Sequence, residues 1–381
     1  MTLSVGVNAV FLEPGMGGLE TYVLELVPAV LKADPSVRLT VLCNARGRTL
    51  LEGQPWAGEV VLETPAGSRC GARALYELGP LGLTAGRRFD ALHSPALTAP
   101  LATRAANIVV LADTTWISVP DMGKGQAATV RLWRSVVPRV ARRADRVIAI
   151  SQASAADVER HLGVAPERID VIPLGYEAAG RAAPTPETEL RDRLGLAGGP
   201  LVLNVAAKKT HKNQMRLVEA LPQMRHEVSG TQLVLAGAST PYEHELRDRA
   251  RQLGVEDAVA LPGYVSDADL EGLYDSAAVF VFPSLNEGFG LPLLEAMARE
   301  LAVVASDRSA LPEVAGDAAL LVDPESADQI ASAAVRVLTD NRLRTRLVAD
   351  GVRRAAGFTW ARTARLTLET WRRAVLAPSR R

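Results

Sequence analysis

The chain has 381 residues, 48% hydrophobic and 23% charged, with 43 Lys+Arg balanced by 43 Asp+Glu. That length suits two domains, and the profile is that of an ordinary soluble globular protein. Zero formal net charge offers no basic field for nucleic acid. The two cysteines, Cys43 and Cys70, are too few for a disulfide framework or a cysteine-rich metal site, and no apolar run approaches the ~18 residues of a membrane span.

The first element is "LSVGVNAV", a Val-rich run that reads as a buried strand. No basic region precedes it, so it does not read as a signal peptide. A loop, "EPGMGGLETYVLEL", follows and opens a helix expected over Leu19–Leu31. Gly15, Gly17 and Gly18 let backbone amides at the helix start approach an anion. A tight structural turn would need the same glycines, so the loop alone leaves both readings open. Its spacing is G-x-G-G, not G-x-G-x-x-G, and no acidic residue closes the next strand, "RLTVLCN". A dinucleotide cofactor is therefore disfavoured.

The runs "ALHS", "NIVVLAD" and "RVIAIS" continue the series. Strands alternating with helical segments imply a parallel sheet covered on both faces. Between the last two runs lies "RLWRSVVPRVARRADR", Arg131 to Arg146, with six arginines and one aspartate. Pro138 is expected to interrupt it. The segment is either a solvated helix face or a contact for anionic lipid.

An Ala/Gly/Pro-rich stretch, "EAAGRAAPTPETELRDRLGLAGGP", reads as an interdomain connection. A second series of strands follows: "LVLNVA", "TQLVLAG", "AVALPGY", "VFVFPS", "AVVAS" and "AALLVD". The expected domains are residues 1–178 and 179–355, with a helical segment over 356–381 that crosses back to the first. In open α/β sheets ligands bind beyond the carboxyl ends of the strands, so the loops after strands should carry the chemistry.

Two such loops in the second series carry charge. "NVAAKKTHKNQM" holds Lys208, Lys209, His211 and Lys212. It suits a phosphate, or is a solvated basic loop. "PSLNEGFGLPLLEAMA" places Pro292 near the first position of a helix, where proline fits best. The amides from Glu287 to Leu291 then face outward at a helix start. Glu295 falls about one turn into that helix, from where a carboxylate can accept two hydrogen bonds from a ribose diol. Glu287 lies on the loop. Singly, Glu295 could be a first-turn acid favoured by the helix dipole, and Glu287 a solvated loop acid. Nearby, the Asp267 and Asp269 pair in "SDADLEGLYDSA" could suggest a metal; Ser266 or Asp267 as helix N-cap is the better reading.

"PSLNEGFGLPLLEAMA" resembles the E-x7-E signature of the retaining GT-B glycosyltransferases of family GT4. The resemblance extends over nearly the whole chain, through "GGLETYVLEL", "DALHSP", "ADRVIAISQASAADV", "LPGYVSDADLEGLYDSAAVFVFPS", "SALPEVAGDAALLVDP" and the terminal "FTW". It implies an α/β fold of the GT-B type, with two doubly wound, Rossmann-like domains facing a cleft. The first domain would bind the acceptor and the second the nucleotide sugar. The implied reaction moves a sugar, mannosyl as the weak favourite, from a nucleoside-diphosphate sugar to a hydroxyl acceptor. That acceptor would be a glycan, a lipid-linked glycan or a small metabolite. Neither cofactor nor metal is implied, and no nucleic-acid partner. The implied location is cytoplasmic, with peripheral contact at the inner face of the membrane.

Residue by residue, the resemblance gives Glu295 the ribose. Glu287 and the amides of Gly288, Phe289, Gly290 and Leu291 would take the sugar and phosphates. Lys212 would neutralise the diphosphate, with Lys208 nearest the position where the family often has Arg. Gly17 and Gly18 would close on the diphosphate from the other domain, and the base would lie near Gly263 and Tyr264. His93 would serve the acceptor pocket, or else is a satisfied structural histidine. Three departures stand out. "VAAKKTHK" lacks the Arg, Ala112 replaces a His before Asp113, and Arg299-Glu300 replaces Cys-Gly, which is expected only to alter a turn. The alternatives these departures leave are a nucleotide-sugar epimerase and a catalytically weak nucleotide-sugar-binding scaffold.

Overall fold

The computed structural model describes residues 2–65, 73–118, 127–177 and 182–377. Cys70 lies outside the described residues; Cys43 is a buried free thiol. The chain divides into two compact units, Met1–Gly175 with Thr359–Arg381, and Tyr176–Phe358.

The first unit is built on a seven-stranded sheet: β1 (Ser4–Ala9), β2 (Arg38–Cys43), β3 (Val61–Glu63), β4 (Ala91–Ser94), β5 (Ala106–Leu111), β6 (Arg146–Ala149) and β7 (Ile169–Val171). Its order is β3-β2-β1-β4-β5-β6-β7, and every neighbouring pair is parallel. The strands are apolar without alternation because helices cover both faces: Val5, Val7, Leu39, Val41, Val109 and Val147 are all buried. The winding reverses between β1 and β4. The helix Trp360–Leu376 belongs to this unit and buries Trp360 and Trp371. Thr363 Oγ donates to the Pro173 carbonyl at 2.8 Å, and Thr370 Oγ to Asp170 at 2.9 Å.

Pro138 does not interrupt the arginine-rich segment. One helix runs from Ala127 to Arg143 straight through it. A mid-helix proline removes one backbone hydrogen bond, here to the carbonyl of Arg134. Arg134 lies on the exposed side, where water can serve that carbonyl, while Val137, Val140 and Ala141 stay buried beside the proline. Arg131, Arg134, Arg139, Arg142 and Arg143 are exposed; Arg146 instead pairs with Asp170 at the start of β6.

The second unit has six parallel strands: β8 (Leu201–Val205), β9 (Gln232–Ala236), β10 (Val259–Gly263), β11 (Ala277–Phe282), β12 (Val303–Ser306) and β13 (Ala319–Val322). Their order is β10-β9-β8-β11-β12-β13, so the winding reverses between β8 and β11. Leu217, Leu221 and Met224 of the helix Gln214–Glu227 pack on one face with Ile330 and Ala334 of the helix Ala327–Thr339.

The supposed connection over 177–200 is only partly a connection. Residues 178–181 lie outside the described set, but Glu187–Leu194 form a helix inside the second unit. Leu190 is buried and Thr185 N donates to the Ala268 carbonyl at 2.9 Å. The composition is that of a linker, but Leu190 docks on the unit and the run around it is rich in good helix formers.

Candidate active site

The site grows from the reversal between β8 and β11, the place in an open α/β sheet where ligands bind. The backbone fastens these loops together. Leu285 N donates to the His211 carbonyl at 2.8 Å. Asn213, in the left-handed region at φ 57°, donates through Nδ2 to the carbonyls of Pro283 at 2.9 Å and Pro324 at 2.6 Å. Beneath them Asn204 Nδ2 donates to the Val281 carbonyl at 2.9 Å, and Gln214 Nε2 donates to Asn204 Oδ1 at 3.1 Å. Asn204, Asn213 and Gln214 are buried. A buried amide unpaired is costly, so each bond in this network holds the register of the loops.

On that base Lys212 reaches across the reversal. Its Nζ lies 2.7 Å from Glu287 Oε1, and 5.8 Å from the centre of the Phe282 ring. The two side chains keep 20% and 12% of their exposure, so the pair is shielded but reachable. Ser309, itself in the left-handed region at φ 53°, clamps the backbone of Glu287 on both sides. Its Oγ accepts from Glu287 N at 2.8 Å and donates to the Glu287 carbonyl at 2.9 Å. A cation and a carboxylate are thus held at the mouth of the sheet, each by groups that fix its backbone.

The segment after Glu287 turns sharply into the helix Leu291–Met297, with Pro292 in its first turn. Gly290 caps it at φ 103°, and a Cβ there would come 2.6 Å from Leu311 Cδ2, so only glycine fits. Phe289 is buried and meets Phe358 edge to face at 5.7 Å, anchoring the loop from below. Leu291 is half-buried, as is Gly288.

Glu295 is half-buried on the same helix, and Tyr274 Oη donates to its Oε2 at 3.1 Å. Burial pushes its carboxyl up, opposed by the Arg299 charge and the Tyr274 hydroxyl. Arg299 does more than alter a turn. Its Nε donates to Glu271 Oε2 at 2.9 Å, with a second bond from Nη2 to Glu271 Oε1. Nη1 donates to Tyr176 Oη at 2.8 Å and to the Glu295 carbonyl at 3.0 Å. The guanidinium lies 4.5 Å from the centre of the Tyr274 ring. Glu300, where the family has glycine, takes φ 58°.

Gly263 ends β10 at φ 74°, and its carbonyl accepts from Gly237 N at 2.8 Å. Tyr264 beside it is 81% exposed, an open aromatic face at the carboxyl end of the sheet. Ser266, not Asp267, is the N-cap of the helix Asp267–Ser276, accepting from Asp269 N at 3.2 Å. Asp269 is engaged by Thr185 and Arg193.

Two expected site residues are placed elsewhere. Lys208 is fully buried; its Nζ donates to the Gly237 carbonyl at 2.5 Å, and burial pulls its ammonium down to about 8. It faces into the unit and does not present a charge to a phosphate. Lys209 next to it is exposed. His93, in the first unit, is fully buried at the end of β4. The indole N–H of Trp371 donates to its Nδ1 at 3.2 Å, and its Nε2 lies 3.2 Å from Tyr22 Oη. An indole nitrogen can only donate, so Nδ1 is bare and Nε2 carries the proton. Both nitrogens are used, and burial pushes the ring down to about 3. This is a satisfied core histidine, with no nitrogen left for an acceptor.

The glycine loop of the first unit is also partly self-satisfied. Gly15 N and Met16 N donate to Glu20 Oε2 at 2.7 and 3.0 Å. Gly17 caps the helix Gly18–Ala33 at φ 62°, a conformation that calls for glycine. Gly18 follows it in open space.

Sequence reasoning missed Asn213, Ser309, Tyr274 and Glu271 in this site. Asn213 carried a faint signal, since an Asn before a helical run tolerates the left-handed conformation. The others declare themselves only through partners distant in sequence.

Residues 186–354 match the family model for glycosyl transferases group 1, and residues 16–179 that for glycosyltransferase family 4. Among curated relatives, an MMP alpha-(1->4)-mannosyltransferase of Mycolicibacterium hassiacum is 33% identical over 254 residues, 65% of this chain and 59% of that one. A GDP-mannose-dependent alpha-(1-6)-phosphatidylinositol monomannoside mannosyltransferase of Mycobacterium tuberculosis is 32% identical, over 71% of this chain and 70% of its own. The match to a serotype-specific mannosyltransferase of Escherichia coli spans only 29% of that longer protein. Among solved structures, the Anabaena protein Alr3699/HepE in complex with UDP and glucose superposes with a TM-score of 0.75 at 22% identity, over 97% of this chain and 99% of that one.

Proposed function

This chain belongs to the group 1, family 4 glycosyltransferases and has their GT-B fold, and on that premise we propose that it transfers a hexosyl group, mannosyl first among candidates, from a nucleoside-diphosphate sugar to a hydroxyl acceptor with retention of configuration. The observation that carries the proposal is the Lys212–Glu287 pair across the strand reversal, with Glu295 in the first turns of the helix that follows. The mannosyl preference rests on the names of the relatives.

In this reading Glu295 accepts from the ribose diol, Tyr264 stacks on the base, and Glu287 meets the donor sugar. Lys212 turns from Glu287 to the diphosphate. The bond from the anomeric carbon to the phosphate oxygen breaks while the acceptor oxygen forms its bond on the same face. The acceptor's proton passes to the departing phosphate oxygen. Charge grows on that oxygen as the bond breaks, and a preorganised ammonium stabilises it most at that moment.

The test is a thermal-stabilisation screen of the intact protein with GDP-, UDP- and dTDP-sugars, followed by transfer assays with and without EDTA. One donor class should raise the melting temperature and support transfer to a hydroxyl in the presence of the chelator. Stabilisation by no nucleotide sugar would overturn the proposal. Release of a free epimerised sugar in place of transfer would move the chain to epimerase chemistry.

A further inference from the structure

Glu295 does not stand alone, and its surroundings are more heavily built than a ribose contact requires. Tyr274 reaches it from the helix Asp267–Ser276, and Arg299 from its own segment, paired in turn with Glu271 of that helix. Arg299 keeps 9% and Glu271 13% of side-chain exposure, so this is a buried ion pair with a two-bond fork. The guanidinium makes four hydrogen bonds. One edge is held by Glu271, and Nη1 by Tyr176 Oη and the Glu295 carbonyl. The flat face of the guanidinium covers the Tyr274 ring, whose other neighbour is Phe280 at 6.0 Å.

We propose that Arg299 is a positioning residue for Glu295, fixing which of its oxygens faces the ribose; this rests on the reading that Glu295 binds the ribose diol. Two lines of geometry meet here. Arg299 pins the Tyr274 ring, and Tyr274 in turn occupies Oε2, so Oε1 is the oxygen left to turn outward. Arg299 also ties down the Glu295 carbonyl, fixing the turn that carries the side chain. The charges point the same way. Among the described residues, the groups facing Glu295 are Arg299, Tyr274 and Glu271. Take Arg299 away, and two carboxylates are left together without a cation. Glu295 then loses the charge that favours its ionised form, and a protonated Glu295 is a poorer acceptor for a diol. Burial already lifts the Glu295 carboxyl, and Arg299 opposes that lift. Arg299 touches neither sugar nor phosphate in this account; it acts through Glu295 alone.

The experiment compares GDP with 2′-deoxy-GDP, and UDP with 2′-deoxy-UDP, by calorimetric titration of the intact protein. Their affinity ratio reads the diol contact and nothing else. The wild type should prefer the ribonucleotide by about 10- to 100-fold, the worth of hydrogen bonds to a charged group. Glu295→Gln should bring the ratio close to one. Arg299→Gln should lower the ratio too, while leaving the deoxy affinity unchanged. Its loss of preference should set in at a higher pH than in the wild type, as titrations run from about pH 8 to about pH 5. Arg299→Lys keeps a charge but loses the fork, and should fall between the two. If Arg299→Gln does not fold, the double variant Glu271→Gln/Arg299→Gln removes both partners of the ion pair, and should also show a ratio below that of the wild type.

A general weakening, equal for ribo- and deoxynucleotides, would reduce Arg299 to a structural role and overturn the inference. So would a wild-type ratio kept in a folded variant. If the wild type and Glu295→Gln show no diol preference at all, or no nucleotide binds, the ribose reading fails and takes this inference with it.

Discussion

At the scale of single residues, Lys212 and the two glutamates should fail in different ways. Glu295→Gln should weaken free nucleoside diphosphate by about 10- to 100-fold, through hydrogen bonds to a charged group. Glu287→Gln should bind the free diphosphate at least as tightly as the wild type, because Lys212 no longer has a carboxylate 2.7 Å away to leave. Its turnover with the intact sugar donor should drop. Lys212→Ala should lose roughly 10²-fold or more in kcat/KM, in line with other electrostatic stabilisers. Lys208→Met, by contrast, should alter the melting temperature and hardly touch diphosphate affinity, since its ammonium is buried against Gly237. Calorimetry, steady-state rates and thermal melts on one set of variants check all four. If Glu287→Gln loses the diphosphate while Glu295→Gln keeps it, the assigned roles are reversed. The positions of Glu287 and Glu295 on a loop and a helix start were legible because these are local properties; Lys212 stood out from its neighbouring lysines only through the resemblance. The burial of Lys208 was not, because it depends on the loop after β9, some thirty positions away.

Elements add what single residues cannot. The helix Trp360–Leu376 meets the end of β4 and the helix Gly18–Ala33 at one histidine. His93 is held neutral, pushed down to about 3, against about 6.5 in an unfolded chain. Between those values the unfolded state binds the extra proton, so stability rises with pH there and is lost as pH falls below about 6.5. His211 in the second unit, also pushed down to about 3 by burial and the neighbouring lysines, contributes with the same sign. Urea unfolding at intervals from neutral to mildly acidic pH should show this slope. His93→Gln should begin less stable yet show a shallower decline; an unchanged slope would mean that His93 is not buried neutral. The sequence offered "DALHSP" as a functional signal, and nothing local could reveal that its ring lies between Tyr22 and Trp371, one of them 278 positions away. The helix through Pro138 was hidden for a related reason. A proline's cost depends on whether its freed carbonyl faces water, and that is settled by packing. That these runs are buried parallel strands was legible, through their uninterrupted Val-rich composition. The reversal between β8 and β11 was not, because topology leaves no mark on a strand's own composition.

For the whole molecule, the division into units has a thermodynamic counterpart. The first unit is discontinuous and closes only when residues 359–381 return to it, whereas the second is a single stretch. Trp371→Ala should therefore destabilise the first unit by about 3–5 kcal/mol, the usual range for a large buried aromatic, and leave the second unit's transition in place. Two-probe unfolding, by emission and by far-ultraviolet circular dichroism, would show one shifted and one unshifted step. A single step moving as a whole would mean that the units unfold together. The same division has an optical consequence. All five tryptophans, Trp56, Trp116, Trp133, Trp360 and Trp371, fall in the first unit, and the second, which carries the proposed nucleotide site, has none. Tryptophan emission, excited beyond the tyrosine band, is thus a one-sided reporter. It is blind to a nucleotide that perturbs only its own surroundings, so a change on adding GDP or UDP that outlasts correction for the nucleotide's own absorption would register a signal that had travelled out of the unit where the ligand sits.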